Sequence, residues 1–527
     1  MVNTTPRLLQ DILLATVARH PERTALVAGD ERLSYREVAD YACRLAQALR
    51  ARGVERGDRV VIFMDNGWRC AASIFGVLLA GGVFVTVNAQ TKRDKLAFIL
   101  RDAGARVLLA EPHLARVFGP VAEQSPALRV LCAPDAGALP AGVDNLDEAL
   151  DEAPATPPPQ SAITLDLAAL LYTSGTTGEP KGVMHTHQSL LFVLDSINEY
   201  LGFTGEDRLF SALPLNFGYG LFQWLSAVRA GAMLVLERSF TYPAQVFNRM
   251  RDEAVTSFAS VPTVYAMMLA QDAKQPLRFP SVRLLTNAAA ALPVEFIPGL
   301  RRLFPNAGLY KMYGQTECIR SAYLEPARAE AKPESVGRAI PGTELLLLGE
   351  DRRPVAPGEV GTLYVRGPHV MRGYWNQPEK TAEVLAPSPL PGEFLLKSGD
   401  LFRQDADGDF YFVSRGDEII KSRGEKVSPT EVENAIYSLP AVREAVVAGF
   451  PDPLLGKAVC AFVTLREGDK LSVQQIKRAC SERLENYMVP KHVLLVSELP
   501  RTENGKLSRK LILERYSALL AEPIRPN

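Results

Sequence analysis

The sequence predicts a layered α/β protein. A large N-terminal region of stacked sheets and helices, including a small β-rich subdomain, precedes a mobile α+β C-terminal lid. Three observations lead there. Short apolar runs alternate with helix-period segments, the pattern of parallel strands joined by helices. Around residues 340–415 the pattern turns to short strands broken by Gly and Pro. Finally, 527 residues exceed what one hydrophobic core holds, so two or more domains are expected.

The elements follow in order. Residues 8–50 read as helix, short strand, helix, with Leu8, Ile12, Leu13 and Val17, then Val38, Tyr41, Leu45 and Leu49, on repeating faces. Residues 59–64 (Arg-Val-Val-Ile-Phe-Met) form a short apolar strand, 70–80 a buried helix and 82–87 the next strand. A helix at 95–103 leads into a strand at 106–110. Residues 151–160 are a proline-rich linker, and 168–171 read as the end of a buried strand. A second α/β stretch spans about 190–310. The β-rich part has strands at 343–348, 361–366 and 409–413. Beyond 417, strands at 442–449 and 458–464 and an amphipathic helix at 473–484 make a compact unit. The expected division is therefore 1–416 and 417–527, with a hinge at Asp417. No repeat of fixed period is present.

Composition excludes several classes. Net charge is −1, with Lys and Arg scattered, which argues against a nucleic-acid partner. No apolar run reaches the roughly 20 residues that span a bilayer, and residues 1–10 lack a signal-peptide pattern. Six widely spaced cysteines without Cys-x-x-Cys read as reduced thiols of a cytoplasmic protein. His185 and His187 form a His-x-His pair with no third ligand nearby, a poor metal site.

Chemistry concentrates at Tyr172-Thr173-Ser174-Gly175-Thr176-Thr177-Gly178-Glu179-Pro180-Lys181-Gly182. Glycines let backbone N–H groups approach an anion, hydroxyls add donors, and Lys181 adds a mobile charge. That suits nucleotide phosphates. The Walker A spacing fails, because Pro180 and Lys181-Gly182 stand where Gly-Lys-Ser/Thr would be needed.

Five further motifs occur downstream, in order. They are Tyr313-Gly314-Gln315-Thr316-Glu317, Ser398-Gly399-Asp400, Arg415-Gly416-Asp417, the stretch from Lys421 to Glu431 that contains Arg423-Gly424, and Asn504-Gly505-Lys506. With the phosphate loop they resemble the adenylate-forming superfamily of acyl-CoA synthetases, aryl-CoA ligases, luciferases and peptide-synthetase adenylation domains. The resemblance covers nearly the whole chain. It implies an ATP-dependent acid–thiol ligase, with ATP, Mg²⁺ and CoA or a phosphopantetheine carrier as co-reactants. It also implies roles. Thr173, Ser174, Gly175, Thr176, Thr177, Gly178 and Lys181 would hold phosphates. Lys506 would bridge carboxylate and α-phosphate, Thr316 would donate to that phosphate, and Glu317 would ligate Mg²⁺. Tyr313 and Ala290 would flank adenine, and Asp400 and Arg415 the ribose. Lys421, Arg423 and Gly424 would line the thiol tunnel. Four alanines, 288–291, replace a Gly/Ala-rich segment, so a tightly glycine-like loop is not expected there.

The acyl group leaves a trace. Amino-acid-activating relatives carry an aspartate where this chain has Gly218. A buried ammonium without its counter-ion is costly, so an uncharged aryl or aliphatic acid fits better than an α-amino acid. Phe217, Gly218, Tyr219, Phe222, Trp224 and Ala288 would line an apolar slot. The acceptor is either CoA or a separate acyl or peptidyl carrier protein. A catalytically silent acyl- or nucleotide-binding homologue is the alternative from another class.

Overall fold

The computed structural model describes residues 6–521 except 126, 134–138, 140–141, 175–179, 389, 391, 417, 423–424, 453–454, 485 and 503–504. Four sheets organise the described residues. The first seven-stranded sheet runs Val143–Asn145, Arg129–Cys132, Ala105–Ala110, Arg59–Phe63, Val83–Val87, Leu167–Ser174, Pro180–Thr186. Its strands are parallel until the last pair, an antiparallel hairpin that sets Thr173 opposite Lys181. Strand Val83–Val87 is buried on both faces, as parallel strands under helices must be.

The second sheet has nine strands, with Leu284–Asn287 beside Gly308–Tyr313 near one end. At its other end Thr24–Ala28 turns directly into Glu31–Ser34. The sequence reading placed one strand there, because Glu31 and Arg32 mask the alternation of an exposed edge. Helix Tyr35–Ala51 starts on a capping box in which Ser34 and Glu37 satisfy each other's backbone N–H groups. It packs against helix Trp68–Ala80 so closely that a Cβ on Gly76 would lie 2.6 Å from Leu45 Cδ2. Trp224, in helix Gly218–Ala230, closes this core and donates its indole N–H to the Ala71 carbonyl at 3.0 Å.

The third sheet is antiparallel, with Phe394–Gln404 at its centre and Phe410–Arg415 paired against it. Its apolar side chains form a separate small core around Leu363, Leu396 and Phe402. The chain then changes sheets. Ile420–Ser422 belongs to the fourth sheet with Val442–Asp452 and Gly456–Leu465, whose two faces carry their own apolar clusters. The helix expected at 473–484 is Val473–Ser481, opened by a Ser472–Gln475 capping box.

Candidate active site

A cleft of about 2010 Å³ lies between the body and this last unit. Thr173, Lys181, Phe217, Gly218, Tyr219, Ala288, Ala290, Tyr313, Thr316, Glu317, Asp400 and Arg415 reach it from the body, and Lys506 from the opposite side. These residues come from six separate stretches of chain. Gly175, Thr176, Thr177, Gly178, Asp417, Arg423 and Gly424 lie outside the described residues, and the side chains of Ser174 and Lys421 are not described.

Lys506 accepts the Thr502 N–H on its carbonyl at 2.8 Å. Its Nζ lies 4.6 Å from the centroid of the Phe217 ring, a cation–π contact across the cleft. Burial, and then the nearby Arg415 charge, hold its pKa down to about 8.

Tyr313 donates its hydroxyl proton to Asp400 Oδ2 at 2.6 Å, and its ring meets Phe402 edge-on at 4.8 Å. Asp400 and Arg415 are cross-strand partners, with Arg415 Nε 3.8 Å from Asp400 Oδ1. A buried carboxylate and a half-exposed guanidinium therefore share one edge of the cleft. Such a carboxylate is an acceptor for paired hydroxyls.

Glu317 Oε1 accepts the Tyr374 hydroxyl at 2.7 Å, and the Tyr374 ring lies beneath Lys181 Nζ at 5.0 Å. Desolvation and the Glu317 charge push the Tyr374 pKa upward, so it stays a donor. Tyr374 thus joins the hairpin that carries Lys181 to the Glu317 loop. Sequence reasoning missed it, although Gly373-Tyr374-Trp375 stands out in its strand-poor surroundings. His185 was also passed over, as half of an isolated pair. Burial lowers its pKa to about 4, and as a neutral ring it donates Nε2–H to the Thr316 carbonyl at 2.7 Å. It fixes the backbone at Thr316.

Two expectations need correction. Phe222 and Trp224 do not line the slot. They stand inside helix Gly218–Ala230, beyond the first-turn residues Gly218 and Tyr219 at the cleft, and both are buried in the main core. The alanine run does form a glycine-like turn: Ala289 has φ of +72°, and Asn287 Nδ2 clamps the Ala290 carbonyl at 3.0 Å. A left-handed alanine costs roughly 1–2 kcal/mol, and the clamp offsets part of that.

Gly218 opens its helix at the cleft wall. A Cβ there would meet only Ile319 Cδ1, at 3.5 Å, so its absence leaves space for a ligand. Tyr219 donates its hydroxyl proton toward the Thr286 carbonyl at 2.9 Å, which presents its ring to the same space.

Residues 13–375 match the family model of the AMP-binding enzyme, and residues 431–506 that of the AMP-binding enzyme C-terminal domain. The chain is similar to a feruloyl-CoA synthase from Amycolatopsis sp, 34% identical over 499 residues covering 94% of this chain and 96% of that one. A long-chain-fatty-acid–CoA ligase of Bacillus subtilis (strain 168) is 31% identical, over 96% of this chain and 94% of its own. Among solved structures, the anthranilate CoA ligase AuaEII in complex with anthranoyl-AMP superposes with a TM-score of 0.90 at 27% identity, covering 98% of this chain and 99% of that chain.

Proposed function

Since the chain belongs to the AMP-binding enzyme family, we infer that the protein is an AMP-forming acid–thiol ligase that makes acyl-CoA from a carboxylic acid, ATP and CoA. A carboxylate is a poor electrophile, because expelling oxide is hard. In the first half-reaction a carboxylate oxygen attacks the α-phosphorus of ATP and pyrophosphate leaves. In the second, the CoA sulfur attacks the acyl carbon, its proton is lost and AMP departs with the bridging oxygen.

The observation that carries this reading is the position of Lys506. A cation from the lid reaches the wall of the same cleft that holds Glu317 and Asp400. Two anions must meet there, and a desolvated ammonium stabilises the charge that builds between them. In this reading Thr316 donates to the α-phosphate, Asp400 accepts the ribose hydroxyls with Arg415 beside it, and Tyr313 and Ala290 flank the base. Lys181 and Thr173, with the loop they flank, hold the outer phosphates.

Mg²⁺ fits the donor set at Glu317, one carboxylate fixed by Tyr374 and open to the cleft, the oxygen chemistry this hard ion takes together with phosphates and water. When bound it would neutralise phosphate charge. Residues from 417 onward act as the lid, and the segment 421–424 would line the path of the pantetheine thiol after the lid turns about Asp417. Among the described residues no helix is long and apolar enough to cross a membrane.

The relatives' named acids run from ferulate to long-chain fatty acids, so the acid must be read from this cleft. An α-amino acid is disfavoured by Gly218. Pyrophosphate release and thioester formation, followed over a panel of acids with CoA and with a pantetheine-loaded carrier protein, test the reading. Acid-dependent pyrophosphate release and CoA-dependent AMP release are expected. Binding of ATP without turnover of any acid would favour the silent homologue.

A further inference from the structure

Arg320 is a buried cation in the acyl part of the cleft. It is 3% exposed, and its Nε has no hydrogen-bond partner. Its guanidinium carbon lies 5.3 Å from the centroid of the Tyr219 ring. Among the described residues, no carboxylate lies within ion-pair distance of it. Its neighbours are not counter-ions either. Burial pushes the Tyr200 hydroxyl and the Cys318 thiol up to about 12, so both are neutral at physiological pH.

The backbone is bent to place this residue. Ile319 has φ of +57°, a conformation that β-branched residues rarely adopt, and strain of this kind gathers at ligand sites. The turn sends Ile319 Cδ1 toward Gly218 and brings Arg320 against Tyr219, on the two sides of one slot. An uncompensated buried charge is disfavoured in an apolar site. A ligand anion would complete it.

Resting on the acid–thiol ligase reading above, we propose that Arg320 binds a second carboxylate on the acyl group, so that the substrate is a dicarboxylic acid activated at only one end. The guanidinium offers planar paired donors that match a carboxylate. The reactive carboxylate would lie toward Lys506 and Thr316, and the second would lie deep in the slot against Arg320. The same cation repels an α-ammonium, which agrees with the glycine at 218. This revises the uncharged acid expected from the sequence.

The test compares a diacid, its monomethyl ester and the monocarboxylic acid of equal length, in wild type and in Arg320→Met and Arg320→Lys. Pyrophosphate release is followed at each substrate concentration. Wild type is expected to favour the diacid by about 100-fold or more in kcat/KM, the scale on which a site built for a polar group rejects an analogue lacking it. Arg320→Met should erase or reverse that preference while turning over the monocarboxylic acid. Arg320→Lys should keep part of it. If wild type prefers the monoester or the monocarboxylic acid, the proposal fails on the native protein, whether or not the variants fold. An unchanged preference in folded Arg320→Met also overturns it. A protein releasing no pyrophosphate with any acid would instead sink the ligase reading itself.

Discussion

At the scale of single residues, charge placement dominates. In the proposed reaction the role of Lys506 differs between the half-reactions. Its positive charge is needed when carboxylate meets phosphate, and not when a thiol attacks an adenylate already formed. Lys506→Ala should therefore lower the adenylation rate by about 100- to 1000-fold while leaving thioester formation from supplied acyl-adenylate nearly intact. Single-turnover assays of each half-reaction read this directly, and equal loss in both would remove Lys506 from the first step. Asp400 is different, because in the proposed site it would act on ground-state binding. Asp400→Ala should weaken ATP binding by about 1–3 kcal/mol, the scale of lost charge-assisted hydrogen bonds. It also leaves the Tyr313 hydroxyl without its acceptor. Calorimetric titration with ATP showing unchanged affinity would take Asp400 out of the nucleotide site.

In the proposed mechanism, elements carry the switch between these steps. Phe410–Arg415 is tied to the body's sheet, and Ile420–Ser422 to the lid's, so the rotation we propose would turn on the few residues between. The lid as found is docked: Lys506 lies over Phe217, and Tyr437 meets Phe296 edge-on at 6.1 Å. Docking lowers the Lys506 pKa to about 8 from the ordinary 10.5. The docked form therefore binds fewer protons than an undocked one between about pH 8 and 10.5, and raising pH through that window favours docking in ligand-free protein. In the proposed mechanism adenylation needs the protonated amine, so its kcat/KM should fall above about pH 8. A fluorophore pair across lid and body, read from pH 7 to 11, should report closure with rising pH in wild type and a flat profile in Lys506→Ala. Matching profiles in both proteins would mean that another group governs docking.

At the scale of the whole molecule, body and lid have separate apolar cores and meet across a cleft. Calorimetry of ligand-free protein should show two unfolding transitions. A non-hydrolysable acyl-adenylate at about 100 times its Kd should stabilise the body by about 2.7 kcal/mol. A single transition without ligand would argue for one cooperative core. Much of this architecture was legible in the chain. Alternating apolar runs and helix periods mark the layers, because burial on two sheet faces or one helix face imposes a period on the residues themselves. Thr173, Lys181, Thr316, Glu317, Asp400 and Lys506, singled out by residue type within short segments, do meet at one cleft. Tertiary structure decided what depends on contacts distant in sequence. Phe222 lies only four residues from Gly218, yet it is buried in the core while Gly218 lines the cleft. Ala289 takes a glycine's conformation because Asn287 holds its loop. Tyr374 gains its place from Lys181 and Glu317, and Arg320 from the turn at Ile319. Local sequence encodes periodicity and residue chemistry, but whether a side chain is left facing a cleft without a counter-ion is settled only when distant segments have packed around it.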